Sequence, residues 1–478
     1  MMFTGADRPG PSSRPVWATP SRRQFISRTL GAAVAAAFPA GLPAVAAPKA
    51  KPPNFVFCMT DDQAYHTMSC AGSKVIRTPN MDRLAAEGVL MRNAFVTNSL
   101  CAPSRASFIT GKYSHSHGVR TNAPPLPPQP TFPDYLRVAG YQTGFIGKWH
   151  MGGQPPKFDV WLGFGGQGQY WNPKLPDFDG QVKQEQGHVT DLLGDRAIAY
   201  LREHRRDPFC LLLWFKSPHR DWQPATRFQS VLEDVTIPEP PTFHDDYAGR
   251  PEVIRQTEMQ VEIAKPAKDF QGWLKDYYRC ILGVDENIGR VLAALDDLGL
   301  SDDTLVLHTS DNGFFLGEHH FFDKRLMYEP SIRIPLVLRY PRLMPKGGRK
   351  LQQMMLNVDL APSFLDLAGV DVPEDMHGRS WAPLLRGEKV PWRQSWLYEY
   401  YEFPAVHMVA KHRGVRTKRW KYIHYFEANE HELYDLQADP NEMVNLYGKP
   451  RFDDKVAELQ AEMLRLRRET NDPDLETP

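Results

Sequence analysis

The sequence is poor in cysteine and has no excess charge of either sign. Its 478 residues include only five cysteines, an odd number at scattered positions, which argues against a disulfide-stapled fold. The 57 Lys and Arg residues balance 57 Asp and Glu residues, so a broad basic face for nucleic acid is absent and no nucleic-acid partner is expected. An anionic ligand therefore has to be attracted by a local cluster of cations.

The sequence also lacks an apolar run long enough to cross a membrane. An Ala-rich run at about 30–42 is short and is interrupted by Gly and Pro. It follows Ser-Arg-Arg-Gln-Phe-Ile at 21–26 and precedes Ala-Val-Ala at 44–46, a pattern typical of a twin-arginine signal with its cleavage site. Residues 1–46 are therefore interpreted as a signal peptide for the twin-arginine export machinery. The mature protein is expected to be periplasmic or secreted, with no membrane span.

Short apolar runs alternate with helical patterns through most of the chain. Strands are predicted at about 54–59, 142–146, 208–216 and 304–309, and helices at about 78–88, 189–205 and 281–295. This alternation predicts an α/β fold with a large, mostly parallel, doubly wound sheet flanked by helices. Residues 221–265 are rich in Pro, Asp and Glu and are expected to form a long surface excursion.

The pattern changes from about residue 375. Segments rich in Tyr, Trp and Val at 396–402, 413–417 and 420–426 predict a smaller antiparallel sheet. A helix is predicted at about 452–468. The chain is therefore divided into an α/β domain at 52–375 and a C-terminal subdomain at 376–478.

Two acidic pairs follow two of the predicted strands. Asp61 and Asp62 come after the first strand, and Asp311 and Asn312 after the strand at 304–309. Ligand sites of open α/β sheets lie at the carboxyl ends of the strands, so these side chains are expected to meet. Carboxylate and amide oxygens are ligands for Ca²⁺ or Mg²⁺. Each pair alone is typical of a helix cap or a turn, but together they predict a metal site.

Several cationic side chains accompany the acidic pairs. They are Arg105, Lys148, His150, His219 and Lys324. Each alone is typical of a solvated surface charge or a structural histidine. Lys148, His150 and His219 follow predicted strands, which favours one shared anion site at the same edge of the sheet.

Cys101 differs from the other cysteines because polar residues surround it. Cys58, Cys210 and Cys280 lie in apolar or helical runs and are interpreted as inert core thiols. Cys101 precedes a predicted helix, where the helix N-terminus and Arg105 are expected to lower the pKa of its thiol. From these residues alone, Cys101 is either a buried thiol or a thiolate nucleophile.

Two long motifs resemble the signatures of the sulfatase family. The first is Ser-Leu-Cys-Ala-Pro-Ser-Arg-Ala-Ser-Phe-Ile-Thr-Gly-Lys at 99–112, and the second is Gly-Tyr-Gln-Thr-Gly-Phe-Ile-Gly-Lys-Trp-His at 140–150. The resemblance runs from about residue 54 to 447 and includes Glu-Leu-Tyr-Asp-Leu at 432–436. It is nearest to bacterial glucosamine-6-sulfatase-like carbohydrate sulfatases. It implies an alkaline-phosphatase-like fold and a catalytic role for the domain at 52–375.

The resemblance also implies a mechanism of sulfate-ester hydrolysis. A separate formylglycine-generating enzyme would oxidise Cys101 to formylglycine, whose gem-diol would attack sulfur and form a covalent sulfate intermediate. One calcium ion would be held by the modified Cys101, Asp61, Asp62, Asp311 and Asn312. Arg105 and Lys148 would hold the diol and the sulfate, and His150 would assist elimination. His219 and Lys324 would contact the sulfate and the bridging oxygen.

The resemblance implies a sulfated carbohydrate as substrate, with N-acetylglucosamine 6-sulfate of glycosaminoglycan or mucin chains favoured. His407, His412 and Arg413 are predicted sugar contacts, although a surface position explains them as well. Alternatives are a sulfatase for aryl or choline sulfate, and a phosphonate or phosphodiester hydrolase of the same superfamily. An inactive calcium-bound glycan-binding protein would keep Cys101 as a thiol. A redox protein would need a resolving cysteine, and none lies nearby in the sequence.

Overall fold

The structure, a computed structural model, describes residues 51–153, 155–261 and 269–475. The predicted signal peptide at 1–46 lies outside the described residues. The helices are α1 (Pro79–Ala86), α2 (Cys101–Thr110), α3 (Ser114–His117), α4 (Phe132–Val138), α5 (Val189–Glu203), α6 (Glu252–Arg255), α7 (Phe270–Asp297), α8 (Glu329–Ile332), α9 (Leu360–Ala368), α10 (Ala382–Arg386) and α11 (Asp453–Glu469). In the part of the chain that is described, no helix is both long and apolar enough to cross a membrane.

The strands form a large sheet, a smaller one and two short ribbons. They are β1 (Asn54–Thr60), β2 (Val89–Phe95), β3 (Gln142–Lys148), β4 (Val160–Phe164), β5 (Lys174–Pro176), β6 (Val182–Gln184), β7 (Phe209–Trp214), β8 (Thr304–Ser310), β9 (Phe315–Leu316), β10 (Phe322–Asp323), β11 (Arg333–Ile334), β12 (Leu336–Arg339), β13 (Arg349–Leu356), β14 (Ser395–Tyr400), β15 (His412–Thr417), β16 (Trp420–Tyr425) and β17 (Glu430–Asp435).

The large sheet is mostly parallel. Its order is β11-β2-β12-β8-β1-β7-β3-β4, with β13 pairing in parallel with β2. From β8 to β4 every pair is parallel, whereas β12 runs antiparallel between β8 and β2. The predicted α/β fold with a mostly parallel sheet is confirmed.

Helices cover both faces of this sheet because the central strand β1 is apolar on both sides. Val56 and Cys58 pack into a cluster with α1, α5 and α7. Phe55, Phe57 and Met59 pack into a second cluster with α2, α4 and α9. Successive side chains of a strand point to opposite faces, so a continuous apolar run produces this two-sided burial. Burying each of these side chains stabilises the fold by roughly 1.5–3 kcal/mol.

Helix α7 fixes the loop that follows β1. The side chain of Asp269 accepts a hydrogen bond from the Gly272 amide at 2.7 Å and caps the helix N-terminus. The predicted helical spacing of apolar residues is confirmed, because one face of α7 buries Ile281, Val284, Ile288, Val291 and Leu295. From the same helix, the Tyr277 hydroxyl donates to the carbonyl oxygen of Asp62 at 2.8 Å and accepts from the Ala64 amide at 2.7 Å. The first acidic pair is thereby held by a helix distant in sequence.

The C-terminal region contains the predicted antiparallel sheet and helix. The sheet has the order β14-β15-β16-β17, and α11 packs Leu459, Met463 and Leu466 into its core cluster. Strand β17 was not predicted as a strand, although its residues were part of the family resemblance. The same core cluster includes Phe95 and Leu100 from the α/β region. The boundary at 375 stays a prediction.

The segment from 221 to 261 is largely the predicted surface excursion, because its backbone is mostly irregular and most of its residues are exposed or half-exposed. Trp222, Ile254 and Met259 are buried and anchor it to the rest of the fold. The Arg250 guanidinium is also buried and donates to the hydroxyls of Tyr328 and Tyr434. Pro and acidic residues indicated the irregular backbone but do not show where the interspersed apolar side chains point. Residues 262–268 lie outside the described chain.

Candidate active site

The two acidic pairs meet at the carboxyl ends of β1 and β8. These strands are parallel neighbours in which Thr60 pairs with Ser310, so the residues that follow them are adjacent. The Asp62 amide donates to Asp311 Oδ1 at 3.1 Å. One carboxylate oxygen from each of Asp61, Asp62 and Asp311 lies within 4.8 Å of the others, and all three residues are buried. The sheet therefore brings together the predicted metal ligands.

Asn312 completes an oxygen-rich set that fits a hard cation. Its Nδ2 donates to Asp62 Oδ1 at 2.6 Å and to the Gly313 carbonyl oxygen at 2.9 Å, which fixes the orientation of the amide. Its Oδ1 is buried and has no hydrogen-bond partner among the described residues. A buried carbonyl oxygen without a partner is costly unless a ligand satisfies it. Three carboxylates with this amide oxygen match the donor set of Ca²⁺ or Mg²⁺.

Cys101 is the first residue of α2 and faces the acidic cluster. Its Sγ lies 3.5 Å from Asp61 Oδ1, and the residue is almost fully buried. Burial, together with the Asp61 carboxylate, raises the pKa of the Cys101 thiol well above its usual value. The prediction of a lowered pKa was wrong, because these two effects outweigh the Lys324 ammonium, which lowers it. Both effects disfavour the thiolate form of an unmodified Cys101.

Arg105 lies one helical turn after Cys101, on the same side of α2. Its Nε donates to Asp311 Oδ2 at 2.9 Å, and its Nη2 lies 3.2 Å from Asp61 Oδ2. Its Nη1 donates to the carbonyl oxygen of Lys148, and the guanidinium stacks over the Trp214 ring at 5.3 Å. This buried guanidinium links α2 to the ends of β1, β8 and β3.

Lys148 and His150 meet at the end of β3, where Gln167 joins them. Lys148 Nζ donates to Asp61 Oδ2 and, at 2.5 Å, to Gln167 Oε1. Gln167 Nε2 lies 3.2 Å from His150 Nε2. Burial, and then the Lys148 ammonium, lower the pKa of His150, so its ring is neutral.

Lys324 and His219 both face Asp62. Lys324 Nζ donates to the two Asp62 carboxylate oxygens, each at 2.6 Å. Burial disfavours the ammonium, but Asp62 together with Cys101 and Asp323 raises the pKa of Lys324. His219 Nε2 lies 3.7 Å from Asp62 Oδ2, while its Nδ1 contacts the carbonyl oxygen of Arg220 at 2.6 Å. Burial, and then Lys148, lower the pKa of His219 well below its usual value.

The charges of this cluster are balanced without a metal ion. Three buried carboxylates face three buried permanent cations: Asp61, Asp62 and Asp311, with Arg105, Lys148 and Lys324. A divalent cation among the carboxylates would leave two positive charges in excess. Such an excess in a buried site attracts and orients an anion.

A second polar cluster surrounds Asp323, next to Lys324. Asp323 Oδ2 lies 2.5 Å from Arg220 Nη1 and 3.1 Å from His407 Nε2, and Asp323 Oδ1 also accepts from Arg325. His407 Nδ1 lies 2.9 Å from the carbonyl oxygen of Glu258. The structure therefore connects His407, one of the predicted sugar contacts, to the neighbour of Lys324.

The other two predicted sugar contacts are not brought to this cluster. His412 is fully buried, and its ring packs against those of Tyr398, Tyr400 and Tyr425. Arg413 is buried beside the Phe426 ring at 4.5 Å, and its Nη2 lies 3.8 Å from an oxygen of Asp474. These contacts of both residues lie within residues 376–478, and their role as sugar contacts stays a prediction.

Four polar residues of the site were missed in the sequence. They are Gln167, Arg220, Asp323 and Arg325. The last three flank His219 or Lys324 directly, and that adjacency was the available signal. Gln167 lies between glycines in the loop after β4, and the glycines alone indicated only a turn.

Comparisons with known proteins agree on one family. The model of the "Sulfatase" family matches residues 53–370, and a model described as "N-sulphoglucosamine sulphohydrolase, C-terminal" matches 317–469. An N-acetylglucosamine-6-O-sulfatase of Bacteroides thetaiotaomicron is 40% identical, covering 89% of this chain and 88% of that protein. Human N-acetylglucosamine-6-sulfatase is 29% identical over 73% of this chain and 67% of that protein.

Comparison with solved structures indicates the same family. A protein in complex with its substrate, D-glucosamine-2-N,6-O-disulfate, has a TM-score of 0.85 and 38% identity, covering 89% of this chain and 99% of that one. A phosphonate monoester hydrolase of Agrobacterium radiobacter has a TM-score of 0.75 at 22% identity, covering 87% of this chain and 96% of that one, and so shares the fold. With its family match, its relatives and its clustered site residues, the chain belongs to the sulfatase family and is a sulfuric ester hydrolase.

Proposed function

We propose that this sulfatase removes the 6-sulfate of glucosamine residues, with N-acetylglucosamine 6-sulfate of glycosaminoglycan or mucin chains as its substrate. The observation that carries the proposal is the 40% identity, over most of both chains, to an N-acetylglucosamine-6-O-sulfatase. The fold similarity to a protein bound to a glucosamine 2-N,6-O-disulfate supports the same sugar.

The proposed metal is one calcium ion held by Asp61, Asp62, Asp311 and Asn312. The buried carboxylates and the unpaired Asn312 Oδ1 support this choice. Bound calcium would withdraw electron density from the sulfuryl oxygens and favour negative charge near the modified side chain. Lys324 would then share the Asp62 carboxylate with the ion.

The proposed nucleophile is a formylglycine made from Cys101 by a separate maturation enzyme. Its support is the motif at 101–105, together with a raised pKa that disfavours the thiolate of the unmodified residue. The hydrated aldehyde would supply one hydroxyl as the nucleophile and a second whose deprotonation would expel the sulfate and restore the aldehyde.

Residues of the chain would hold the sulfate on several sides. Lys148 uses two of its three N–H donors on Asp61 and Gln167, so the third is left for a sulfuryl oxygen. Lys324 likewise adds positive charge beside Asp62. His219 donates its Nδ1–H to a backbone carbonyl oxygen, so Nε2 is the nitrogen that faces Asp62, and it would donate to the bridging oxygen only from a doubly protonated ring. Lys148 and Lys324 are the fixed positive groups, and such groups stabilise the charge that develops on the leaving oxygen.

The Asp323 cluster is the proposed binding site for the sugar ring. Asp323 can accept hydrogen bonds from hydroxyls, and Arg220, Arg325 and His407 can donate to ring substituents or to a second anionic group. Of the three predicted sugar contacts, this proposal uses only His407, because His412 and Arg413 are buried elsewhere. Export through the twin-arginine pathway to the periplasm or outside would place the enzyme where such polymers occur.

Mass spectrometry and a substrate panel test the proposal together. The Cys101 peptide from active enzyme is expected to carry the mass of formylglycine, and an unmodified thiol in fully active enzyme would contradict the nucleophile. In the panel, N-acetylglucosamine 6-sulfate is expected to be turned over faster than 2-sulfated, 3-sulfated and choline sulfates. Phosphonate and phosphodiester esters of nitrophenol are expected to be poorer substrates than the sulfate ester, and the reverse order would favour a phosphonate or phosphodiester hydrolase.

A further inference from the structure

Gln167 bridges Lys148 and the neutral ring of His150 from a loop that neither motif includes. The loop follows β4, and Gly166 and Gly168 on either side of Gln167 have positive φ angles of 59° and 65°. This conformation strains other residues, so the glycines allow the tight turn that brings the side chain to Lys148 and His150. The amide oxygen accepts from Lys148 at 2.5 Å, and the amide nitrogen lies 3.2 Å from His150 Nε2.

The orientation of the Gln167 amide follows from the chemistry of its partners. An ammonium group has only donors, so the atom that faces Lys148 has to be the amide oxygen. The NH₂ group then faces His150, and it can only donate. His150 Nε2 therefore has to accept, and the neutral ring carries its proton on Nδ1.

The charges around His150 keep the ring neutral in this arrangement. Lys148, Arg105 and Lys324 disfavour a positive ring, and among the groups that act on it only Asp61 favours one. A charged ring would also present an N–H to the NH₂ group of Gln167, which is repulsive. Nδ1 is buried and has no hydrogen-bond partner among the described residues. A buried N–H donor requires an acceptor, and here the bound ester or the modified Cys101 side chain has to provide it.

We propose that Gln167 is a positioning residue that selects the Nδ1–H tautomer of His150, so that the ring meets the reacting oxygens with a donor. This inference rests on the proposed function, because it takes His150 as part of the reacting site. In this form the resting His150 ring presents a donor at Nδ1, which would give a hydrogen bond to an oxygen of the bound ester or of the modified side chain.

Nuclear magnetic resonance of ¹⁵N-histidine-labelled, calcium-loaded enzyme tests the tautomer directly. The two nitrogens of a neutral imidazole have different shifts according to which one is protonated, and a His150→Asn variant assigns the signal. The wild type is expected to show the Nδ1–H form. Gln167→Leu, which removes both hydrogen bonds, is expected to revert to the Nε2–H form that imidazole prefers in water. Gln167→Glu, which can only accept, is expected to retain the doubly protonated ring to higher pH.

A matched control comes from the same loop. Gln169 is exposed and makes no hydrogen bond to Lys148 or His150, so Gln169→Leu is expected to leave both the His150 signal and the kinetics unchanged. Gln167→Leu is expected to lower kcat by roughly 10- to 100-fold with KM nearly unchanged. Losses of this size follow when a hydrogen-bond partner that orients a functional side chain is removed. A purely structural role would not change the tautomer.

The outcomes separate this inference from the proposed function. A wild-type His150 signal of the Nε2–H form, or a Gln167→Leu signal identical to the wild type, would overturn the role of Gln167. If the enzyme hydrolyses no glucosamine 6-sulfate but its spectra shift as expected, the substrate proposal fails and the positioning role stands.

Discussion

Replacing Lys324 by Met would test whether Asp62 is a metal ligand. The substitution keeps the length of the side chain and removes the ammonium that donates to both Asp62 oxygens at 2.6 Å. Both residues are almost fully buried, so water cannot replace the lost partner. Breaking one side of a buried ion pair costs about 3–5 kcal/mol, because the remaining charge is left unpaired. The calcium-free variant is therefore expected to lose about that much of its free energy of unfolding.

Calcium is expected to recover much of this loss. A cation bound only by the folded state stabilises it in proportion to RT ln(1 + [Ca²⁺]/Kd), about 4 kcal/mol at 1,000 times Kd. In the variant the ion also partners the unpaired Asp62, so the gap in stability between wild type and Lys324→Met should narrow when calcium is added. Denaturant unfolding of both proteins, in chelator and in saturating calcium, measures the difference in free energy of unfolding under each condition. Sulfatase activity of the variant is expected to stay low in either condition, because the cation beside the sulfate is gone.

Lys421 provides a matched control in the C-terminal sheet. Its Nζ is buried and lies 2.5 Å from Glu442 Oε1 and 3.1 Å from Glu329 Oε1, away from the acidic pairs. Lys421→Met is expected to lose stability by a similar amount, with no recovery in calcium. The assignment of Asp62 as a ligand would be refuted if Lys324→Met lost the same free energy of unfolding in chelator and in calcium. It would also be refuted if calcium restored the stability of Lys421→Met to the same extent.

Four further predictions concern Cys101, His115, His407 and His412. Cys101→Ala is expected to abolish turnover of nitrophenyl sulfate while calorimetry still detects calcium binding, and wild-type rates would contradict its role. The His115 Nδ1 lies 2.7 Å from Glu399 Oε2, and this carboxylate outweighs burial and raises the pKa of His115 to about 9. The protonated His115 ring stabilises the fold fully below about pH 6.5, and this contribution is lost as the pH rises through about 9. The difference in melting temperature between the wild type and His115→Gln should therefore disappear between about pH 7 and 10. His407→Ala is expected to raise KM for glucosamine 6-sulfate about tenfold, the effect of losing roughly 1.4 kcal/mol of binding, with less change for nitrophenyl sulfate. His412→Ala is expected to lower stability by about 2–4 kcal/mol without changing KM, and a changed KM would place it at the sugar.

The acidic pairs could be predicted from sequence because their position depends on local pattern. A strand that is apolar on both faces indicates a central parallel strand, and the residues after it reach the sheet edge whatever the rest of the fold. The same argument applied to Asp61 and to Asp311, and the structure places them together. The cations at strand ends were predictable for the same reason.

The pKa of Cys101 could not be predicted, because its cause is distant in sequence. The helix N-terminus and Arg105 are local and visible, whereas the Asp61 carboxylate reaches the thiol only through the sheet. Gln167 was missed because its role depends on where Lys148 and His150 lie. The burial of His412 could not be predicted because polar residue type indicates exposure on average, while its ring is enclosed by three tyrosines.

Because Cys101 is buried in the folded protein, its thiol is accessible to another enzyme only before folding is complete. The segment that encloses it is assembled from late parts of the chain, since the Ser99 amide donates to the Tyr398 hydroxyl at 3.1 Å, and Asp311 holds Arg105. Contacts across some 200 to 300 residues form only after those residues have been synthesised and packed. A modifying enzyme of the proposed kind would therefore reach Cys101 while the later part of the chain is still absent or open. Slower folding of that part would lengthen this interval and raise the modified fraction, whereas a faster-folding variant would contain more unconverted thiol.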